Sequence, residues 1–159
     1  VLFRSHKVFE GLAKRGKSSM GWFYGFKLHL VTDEFGHLLA LKVTSAEVNE
    51  RKPFEQLLQS LKGTVVADAA YLSLELSETL AQKSLHLLTG VRKNMKKLMT
   101  RDQHKILKSR QMIEVTFGIL KQRLALGSSL SRSVLGGFSR ICCSFLAYIF
   151  SYQRQAFGY

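Results

Sequence analysis

Residues 22–32 are W-F-Y-G-F-K-L-H-L-V-T, and every even position from 22 to 30 is apolar. This period-2 alternation is typical of a strand with one buried face. Residues 33–36, D-E-F-G, predict a turn, and residues 37–44, H-L-L-A-L-K-V-T, predict a second strand. The two strands predict an antiparallel hairpin. The preceding residues 11–21, rich in Gly, Ser and Lys, predict a flexible basic loop.

The rest of the chain alternates predicted helices with short apolar strands. We expect a helix over 49–62, a strand over 64–68, a helix over 73–82, a strand over 85–91, and helices over about 110–123 and 137–155. The resulting order, β-β-α-β-α-β-α-α, predicts a mixed α/β domain.

The composition combines globular character with a strong basic charge. Hydrophobic residues make up 46% of the 159 residues, which excludes a wholly disordered chain. No apolar run is expected to span a bilayer, because Arg140 interrupts the best one, 135–150. Cys142 and Cys143, adjacent in that run, predict small core residues.

The net charge of +13 is unevenly distributed along the chain. Residues 92–123 carry +8, whereas residues 18–91 carry −2. This pattern predicts a folded centre flanked by segments that face an anionic partner, with nucleic acid as the first choice.

Asp68 ends the predicted strand T-V-V-A-D. Ligands of open α/β sheets bind outside the carboxyl ends of strands, where a carboxylate can hold a metal ion. Asp68 is therefore a candidate for metal-dependent chemistry. A turn or helix-capping aspartate is the alternative interpretation.

Glu114 lies within the spacing R-x3-E-x6-K, between Arg110 and Lys121. On a helix these three side chains fall within about 40° of one face. A carboxylate flanked by two cations suits metal-assisted phosphoryl transfer, in which the acid holds a divalent ion and the cations hold phosphates. A surface ion pair worth a few tenths of a kcal/mol is the alternative.

Other polar residues give weaker signals. Lys27 and His29 share one face of the first predicted strand, where they are expected to be solvated, with a contact to a nucleic-acid backbone as the alternative. Asp33 is expected to serve the hairpin turn rather than a metal. The histidines show no metal-ligand spacing, so a zinc site is not expected.

Three segments resemble the DDE transposases of bacterial insertion sequences, over nearly the whole chain: H-K-V-F-E-G-L-A-K-R-G-K-S-S-M-G-W-F-Y-G-F-K-L-H-L-V, V-A-D-A-A-Y and R-Q-M-I-E-V-T-F-G-I-L-K. The resemblance implies a ribonuclease-H-like mixed sheet flanked by helices. It also implies an Asp-Asp-Glu triad that binds Mg²⁺ in a two-metal site and catalyses DNA strand cleavage and strand transfer at insertion-sequence ends.

The resemblance assigns roles to particular residues. Asp68 matches the second acid of the triad and Glu114 the third, while Arg110 and Lys121 match the basic positions of the signature. The basic residues that follow the last predicted strand are expected to hold phosphates without sequence preference; they are Arg92, Lys93, Lys96 and Lys97. DNA is the expected partner, bound by a homo-oligomer in the bacterial cytoplasm at the nucleoid; neither a membrane nor a small-molecule substrate is expected.

Two departures from the family pattern stand out. Leu107 occupies a position where many members have Tyr. The first triad Asp should lie on a strand upstream of H-K-V-F, but only V-L-F-R-S precedes that segment. These five residues match the translation of a common sequencing-adapter stretch, so we expect a non-native leader at 1–5 and a partial catalytic domain over 6–159.

In the family's fold the missing first strand is central, between the strand that starts at Trp22 and the one that ends at Asp68. We therefore expect both strands to expose unpaired edges. Because one acid is absent, we also expect the chain to bind DNA without cleaving it.

Two other functions stay open at this stage. The first is a non-catalytic basic nucleic-acid-binding module, for which the Asp68 and Glu114 carboxyl groups would lie more than roughly 10 Å apart. The second, ranked last, is a basic peripheral membrane protein, for which the chain lacks an amphipathic helix with a basic face.

Overall fold

Three antiparallel strands form the first sheet of the computed structural model, which describes residues 7–18, 21–68, 71, 74–90, 100–127 and 131–153. They are β1 (Lys14–Ser18), β2 (Gly21–Thr32) and β3 (Leu38–Ser45), with β2 in the middle. The first half of β2 pairs with β1 and the second half pairs with β3. The predicted hairpin is therefore confirmed.

β1 lies where the sequence predicted a flexible basic loop, so that prediction is wrong. Its residues, K-R-G-K-S, are polar, but its backbone pairs with the first half of β2. Paired backbone groups stabilise the strand without apolar side chains of its own. Gly16 permits this packing, because a Cβ there would overlap the carbonyl of Ala46.

A separate parallel pair forms the second sheet. It consists of β4 (Gly63–Ala67) and β5 (Leu85–Thr89), joined by α2 (Leu74–Gln82), as a parallel crossover requires. The preceding helix, α1 (Arg51–Leu57), is shorter than the predicted 49–62, because the chain turns after it to enter β4. The mixed α/β class is confirmed, although the strands of the described residues form two sheets rather than one.

In the described part of the chain, three helices follow the second sheet: α3 (Arg101–Lys108), α4 (Gln111–Gly118) and α5 (Val134–Tyr148). α4 and α5 each continue into a π-helical turn, at Ile119–Arg123 and Ile149–Gln153. α3 was not predicted. It begins with a capping box, in which Thr100 and Gln103 each accept a hydrogen bond from the other's backbone N–H.

Two hydrophobic clusters occupy the two halves of the fold. The larger core joins β2 to α5 and the π turn after α4; its buried members are Phe9, Ala13, Phe26, Leu120, Leu126, Ile141, Phe145 and Tyr148. The smaller core lies between α1, α2 and β5; its buried members are Leu58, Leu76, Leu80 and Leu85. Two separate cores thus stabilise the domain. The boundary between its two halves lies between β2 and β4.

The last helical stretch, Val134–Tyr152, is by length and composition apolar enough to cross a membrane, with a mean hydropathy of 1.5 over its most apolar window. The expectation that Arg140 excludes such a run is therefore wrong. Ile141, Phe145 and Tyr148 pack into the larger core from one face of this helix, whereas Leu135, Leu146 and Phe150 are exposed. Cys142 and Cys143 are exposed rather than buried, because they fall off that face of the helix.

Candidate active site

Two carboxylates from different elements meet at one guanidinium group. Asp68 follows the last residue of β4, and Glu114 lies in the first turn of α4. Arg110 Nη1 is 3.4 Å from Asp68 Oδ2, and Arg110 Nη2 is 3.5 Å from Glu114 Oε1. Because one planar guanidinium group contacts both carboxylates, Asp68 Oδ2 and Glu114 Oε1 lie less than about 10 Å apart.

The two carboxylates face solvent. The side chains of Asp68 and Glu114 are 63% and 67% exposed, and that of Arg110 is 43% exposed. Exposed ion pairs of this kind contribute little stability, with a median near 0–1 kcal/mol. Arg110 therefore offsets only one of the two negative charges and does not lock the acids, so both oxygens stay accessible to a cation.

A cleft of about 290 Å³ separates the two sheets beside these acids. One wall is formed by residues 28–31 of β2 and the other by residues 66–68 at the end of β4, while α4 closes one side with Ile113 and Phe117. Among the described residues, the second half of β2 pairs only with β3, and β4 pairs only with β5. Each of these strands thus has one edge without a partner strand in the described part of the chain.

The basic positions of the R-x3-E-x6-K spacing behave differently from each other. Arg110 was expected to hold phosphates, but in the structure it pairs with the two carboxylates. Lys121 is exposed, and its Nζ lies 5.5 Å from the centroid of the Phe117 ring, which lines the cleft. Lys121 falls in the π turn, so the 100° spacing used for the prediction does not hold at its position. The other four residues that were expected to hold phosphates lie outside the described residues; they are Arg92, Lys93, Lys96 and Lys97.

Lys27 and His29 are not solvated as expected. Lys27 Nζ lies 3.5 Å from Glu50 Oε1 and donates a hydrogen bond to the Val48 carbonyl. His29 Nε2 lies 2.9 Å from Thr44 Oγ1, and burial lowers the pKa of His29. The residues that follow β3 cover this face, a tertiary contact that strand alternation does not reveal.

Asp33 serves the turn between β2 and β3, as expected. Burial alone would raise the pKa of Asp33, but hydrogen bonds from His37 and from the Phe35 backbone outweigh it and lower this pKa. Gly36 adopts a φ of +90°, which favours glycine, and a Cβ there would crowd Tyr148 and Met112. Asp33 is therefore not free to join Asp68 and Glu114.

Tyr71 is a site residue that the sequence analysis missed. Its ring stacks on Phe54 with centroids 4.7 Å apart, and its hydroxyl donates to Glu50 Oε2. Burial, with the nearby charges of Glu50 and Asp68, raises the pKa of Tyr71 to about 12. The signal was its place three residues after Asp68 in V-A-D-A-A-Y, where its N–H donates to the Asp68 carbonyl.

The donor set fits a hard divalent cation in part. Carboxylate oxygens are the ligands that Mg²⁺ prefers, and this ion is commonly held by one or two carboxylates together with waters and substrate phosphates. The described residues contain no group of three or more His, Cys, Asp or Glu side chains that could hold a metal ion. Asp68 and Glu114 supply two carboxylates of this kind, whereas a two-metal site needs a further carboxylate.

These features define a mixed α/β domain whose strand-end aspartate and helical glutamate share one cleft. A family model described as "Transposase DDE domain" matches residues 2–134, so the chain belongs to this family. Membership in the family indicates a function in transposition, with DNA as the partner. Domains of this family generally use divalent metal ions, and transposases typically act on DNA in the cytoplasm. No curated protein and no solved structure matches the chain.

Proposed function

We propose that this domain carries out Mg²⁺-dependent cleavage and transfer of DNA strands at insertion-sequence ends, and that Asp68 and Glu114 are two of its metal-binding acids. The observation that carries the proposal is the contact of both carboxylates with the single guanidinium of Arg110. Elements that are distant in sequence thereby present two acids to one cleft, and the net charge of +8 over residues 92–123 attracts DNA.

The chain's own residues position the two acids and the DNA. Arg110 holds the carboxylates side by side, and it becomes available to a DNA phosphate when a cation takes over their charge. Lys121, at the rim of the cleft, supplies a second phosphate contact. A bound Mg²⁺ would supply Lewis-acid stabilisation of the charge that develops on the phosphate oxygens.

We further propose that a third carboxylate reaches the cleft on an additional strand. The edges of β2 and β4 that lack partners within the described residues flank the cleft, and unpaired strand edges are templates for strand addition. Without that acid, the 159-residue chain is expected to bind DNA but neither cleave nor transfer it.

Iron-directed cleavage tests the metal site without requiring DNA cleavage activity. Fe²⁺ replaces Mg²⁺, and with ascorbate and peroxide it generates radicals that cut the polypeptide next to the bound ion. We expect cuts near residues 68 and 114, suppressed by excess Mg²⁺ and lost in Asp68→Asn and Glu114→Gln. The matched controls are Glu78→Gln and Asp102→Asn, which change exposed acids outside the cleft. Unchanged cuts in the two site variants would contradict the proposal.

A strand-transfer assay tests the requirement for a third acid. The 159-residue chain, with Mg²⁺ and DNA that carries the insertion-sequence ends, is expected to yield no product. Robust Mg²⁺-dependent strand transfer by this chain alone would overturn the requirement. The gene sequence upstream of codon 6 gives an independent check, because an in-frame extension that encodes a strand with Asp would supply the missing acid.

Salt dependence tests the proposed phosphate contacts of the basic segment. Each lost phosphate contact should reduce the slope of log K against log salt by roughly 0.9. Replacement of Arg92, Lys93, Lys96 and Lys97 by Ala is expected to reduce the slope accordingly. The control variant K52A/K62A/K83A removes exposed lysines from the acidic middle of the chain and is expected to change the slope much less.

A non-catalytic DNA-binding module is the second candidate function. It is favoured by the ion pairs of Arg110 with both acids and by the lack of a three-acid cluster among the described residues. It predicts that Asp68→Ala and Glu114→Ala leave DNA affinity unchanged or higher. It also predicts no iron-directed cuts at these positions, so the same experiment separates the two functions.

A further inference from the structure

Trp22 lies on the surface of the β1–β2 hairpin, although the alternation of β2 placed it on the predicted buried face. It is 64% exposed, whereas its neighbour Phe23 is 7% exposed. Successive side chains of a strand point to opposite faces, so Trp22 lies on the face of β2 opposite to the buried Phe23. Trp22 is also the only tryptophan in the chain. A large exposed aromatic ring at this position is not explained by core packing.

Two cations lie against this ring. Trp22 pairs with Lys17 across the hairpin, and Arg15 lies on the same face of β1. Arg15 Cζ is 4.9 Å and Lys17 Nζ is 6.0 Å from the ring centroid. Both cationic side chains are exposed, so the hairpin presents an aromatic surface bordered by positive charge.

An open cleft of about 490 Å³ lies between this hairpin and the residues that follow β3. Arg15, Lys17 and Trp22 line one side, and the other side carries Glu47 and Glu50, of which Glu50 is paired with Lys27, also in the lining. A phosphate is attracted to the first side, whereas Glu47 on the second side repels it. The amino groups of nucleobases, in contrast, donate hydrogen bonds that carboxylates accept. The charges of the cleft therefore suit a nucleotide whose phosphate lies toward β1 and whose base lies toward the residues after β3.

We propose that this hairpin cleft binds an unpaired DNA nucleotide, with its base stacked on Trp22 and its flanking phosphates held by Arg15 and Lys17. Aromatic platforms beside cations are the usual means of holding single strands, because every base has a face that can stack. In a duplex the base faces are already stacked, so the ring selects unpaired DNA. The inference rests on the proposed function, since cleavage and joining of strands create unpaired ends.

The single tryptophan makes binding directly observable. Titration of the chain with a twelve-nucleotide oligodeoxycytidine, whose bases carry an amino group, is expected to quench Trp22 fluorescence strongly, whereas the corresponding duplex is expected to quench it weakly at equal salt. Absence of quenching by the single strand, or equal quenching by the duplex, would overturn the proposal.

Variants measured with a labelled oligonucleotide give a second readout. Trp22→Ala is expected to weaken single-strand binding about tenfold, with Trp22→Phe less affected and circular dichroism unchanged. Phe35→Ala is the matched control, because Phe35 is 71% exposed in the turn after β2 and is not among the residues that line this cleft. Equal losses in the two alanine variants, or no loss in Trp22→Ala, would contradict the proposal.

The two sites fail separately. Asp68→Asn and Glu114→Gln are expected to remove the iron-directed cuts while leaving the Trp22 quenching intact. Trp22→Ala is expected to keep those cuts. If the single strand quenches Trp22 fluorescence but no iron-directed cuts form, only the proposed metal site is overturned. If the cuts form without quenching, only the proposed nucleotide site in the hairpin cleft is overturned.

Discussion

The larger core and the smaller core differ in the side chains that form them. The larger core contains interlocking aromatic rings: Phe9 meets Phe26 and Phe138 edge-on, with centroids 5.4 and 6.0 Å away. The smaller core has four buried leucines between two short helices and a two-stranded sheet. Aromatic side chains bury more area each and add specific ring geometry, so the larger core should be the more stable half.

The candidate active site spans the boundary between these halves. Asp68 follows β4 of the half with the smaller core, whereas Arg110 and Glu114 belong to the start of α4, which packs against β2. The link between Asp68 and Arg110 is an exposed ion pair rather than buried packing. The spacing of the two acids therefore depends on how the two halves are held together, and an additional strand between β2 and β4 would fix that spacing.

Core truncations should break the two halves unequally. Phe9→Ala is expected to lower the free energy of unfolding by about 3–5 kcal/mol and to expose the whole domain. Leu85→Ala is expected to cost about 2–5 kcal/mol and to remove amide-exchange protection mainly over residues 63–89. Urea denaturation and hydrogen exchange measure both effects. Loss of protection throughout β1–β3 in Leu85→Ala would show that the halves are one unit.

The hydroxyl of Tyr148 stabilises the half with the larger core, because it joins α5 to two other elements of that half. It donates to the Gly36 carbonyl at 2.7 Å and lies 3.1 Å from the buried Thr116 hydroxyl. Tyr148→Phe leaves these groups short of a partner and is expected to cost about 1–3 kcal/mol. Tyr152→Phe, which removes a surface contact to Arg123, is the control and should cost less in the same urea titration.

In the proposed metal site, the charge of Arg110 would compete with the ion for the two acids. Arg110→Gln is therefore expected to tighten Mn²⁺ binding by about a few-fold, a modest gain because the ion pairs are exposed. Arg101→Gln changes an exposed arginine at the start of α3 and should leave Mn²⁺ binding unchanged. Isothermal titration with Mn²⁺ measures both, and weaker binding in Arg110→Gln would contradict the competition.

The smallest expected effect is a pH dependence from His29, near the boundary. Burial lowers the pKa of His29, so the folded chain resists protonation at this residue. Below pH 6.5 the unfolded chain takes up a proton that the folded chain does not, and stability should fall as the pH decreases from 7.5 to 5.5. His29→Gln should remove that part of the decrease in the urea midpoint. An identical pH profile for the variant would contradict this assignment.

The sequence predicted those features that arise from local periodicity. The alternation in residues 22–32 predicted β2, and the apolar runs predicted β4 and β5. β1 was missed because its strand character comes from pairing rather than from its own polar side chains. α3 was missed although T-R-D-Q at its start forms a capping box, because it lies beside the continuous basic segment.

The residue types at the site were predictable, but their contacts were not. Charge and spacing singled out Asp68, Glu114 and Arg110 as candidates. The contact of Arg110 with Asp68 joins residues from two elements and depends on tertiary packing, as does the contact of His29 with Thr44 of β3. Trp22 was expected on the buried face of β2 because alternation distinguishes the two faces of a strand. It does not show which part of a long strand packs against the core, and Trp22 lies at the exposed end.

A double-mutant cycle on Mn²⁺ affinity tests the central claim, that acids from the two halves form one metal site. Titrations of the parent chain, Asp68→Asn, Glu114→Gln and the double variant give the coupling energy. We predict that each single variant loses most of the affinity, on the order of tenfold or more, and that the double variant loses little beyond that. Independent, additive losses, or affinity unchanged in both single variants, would contradict a shared site.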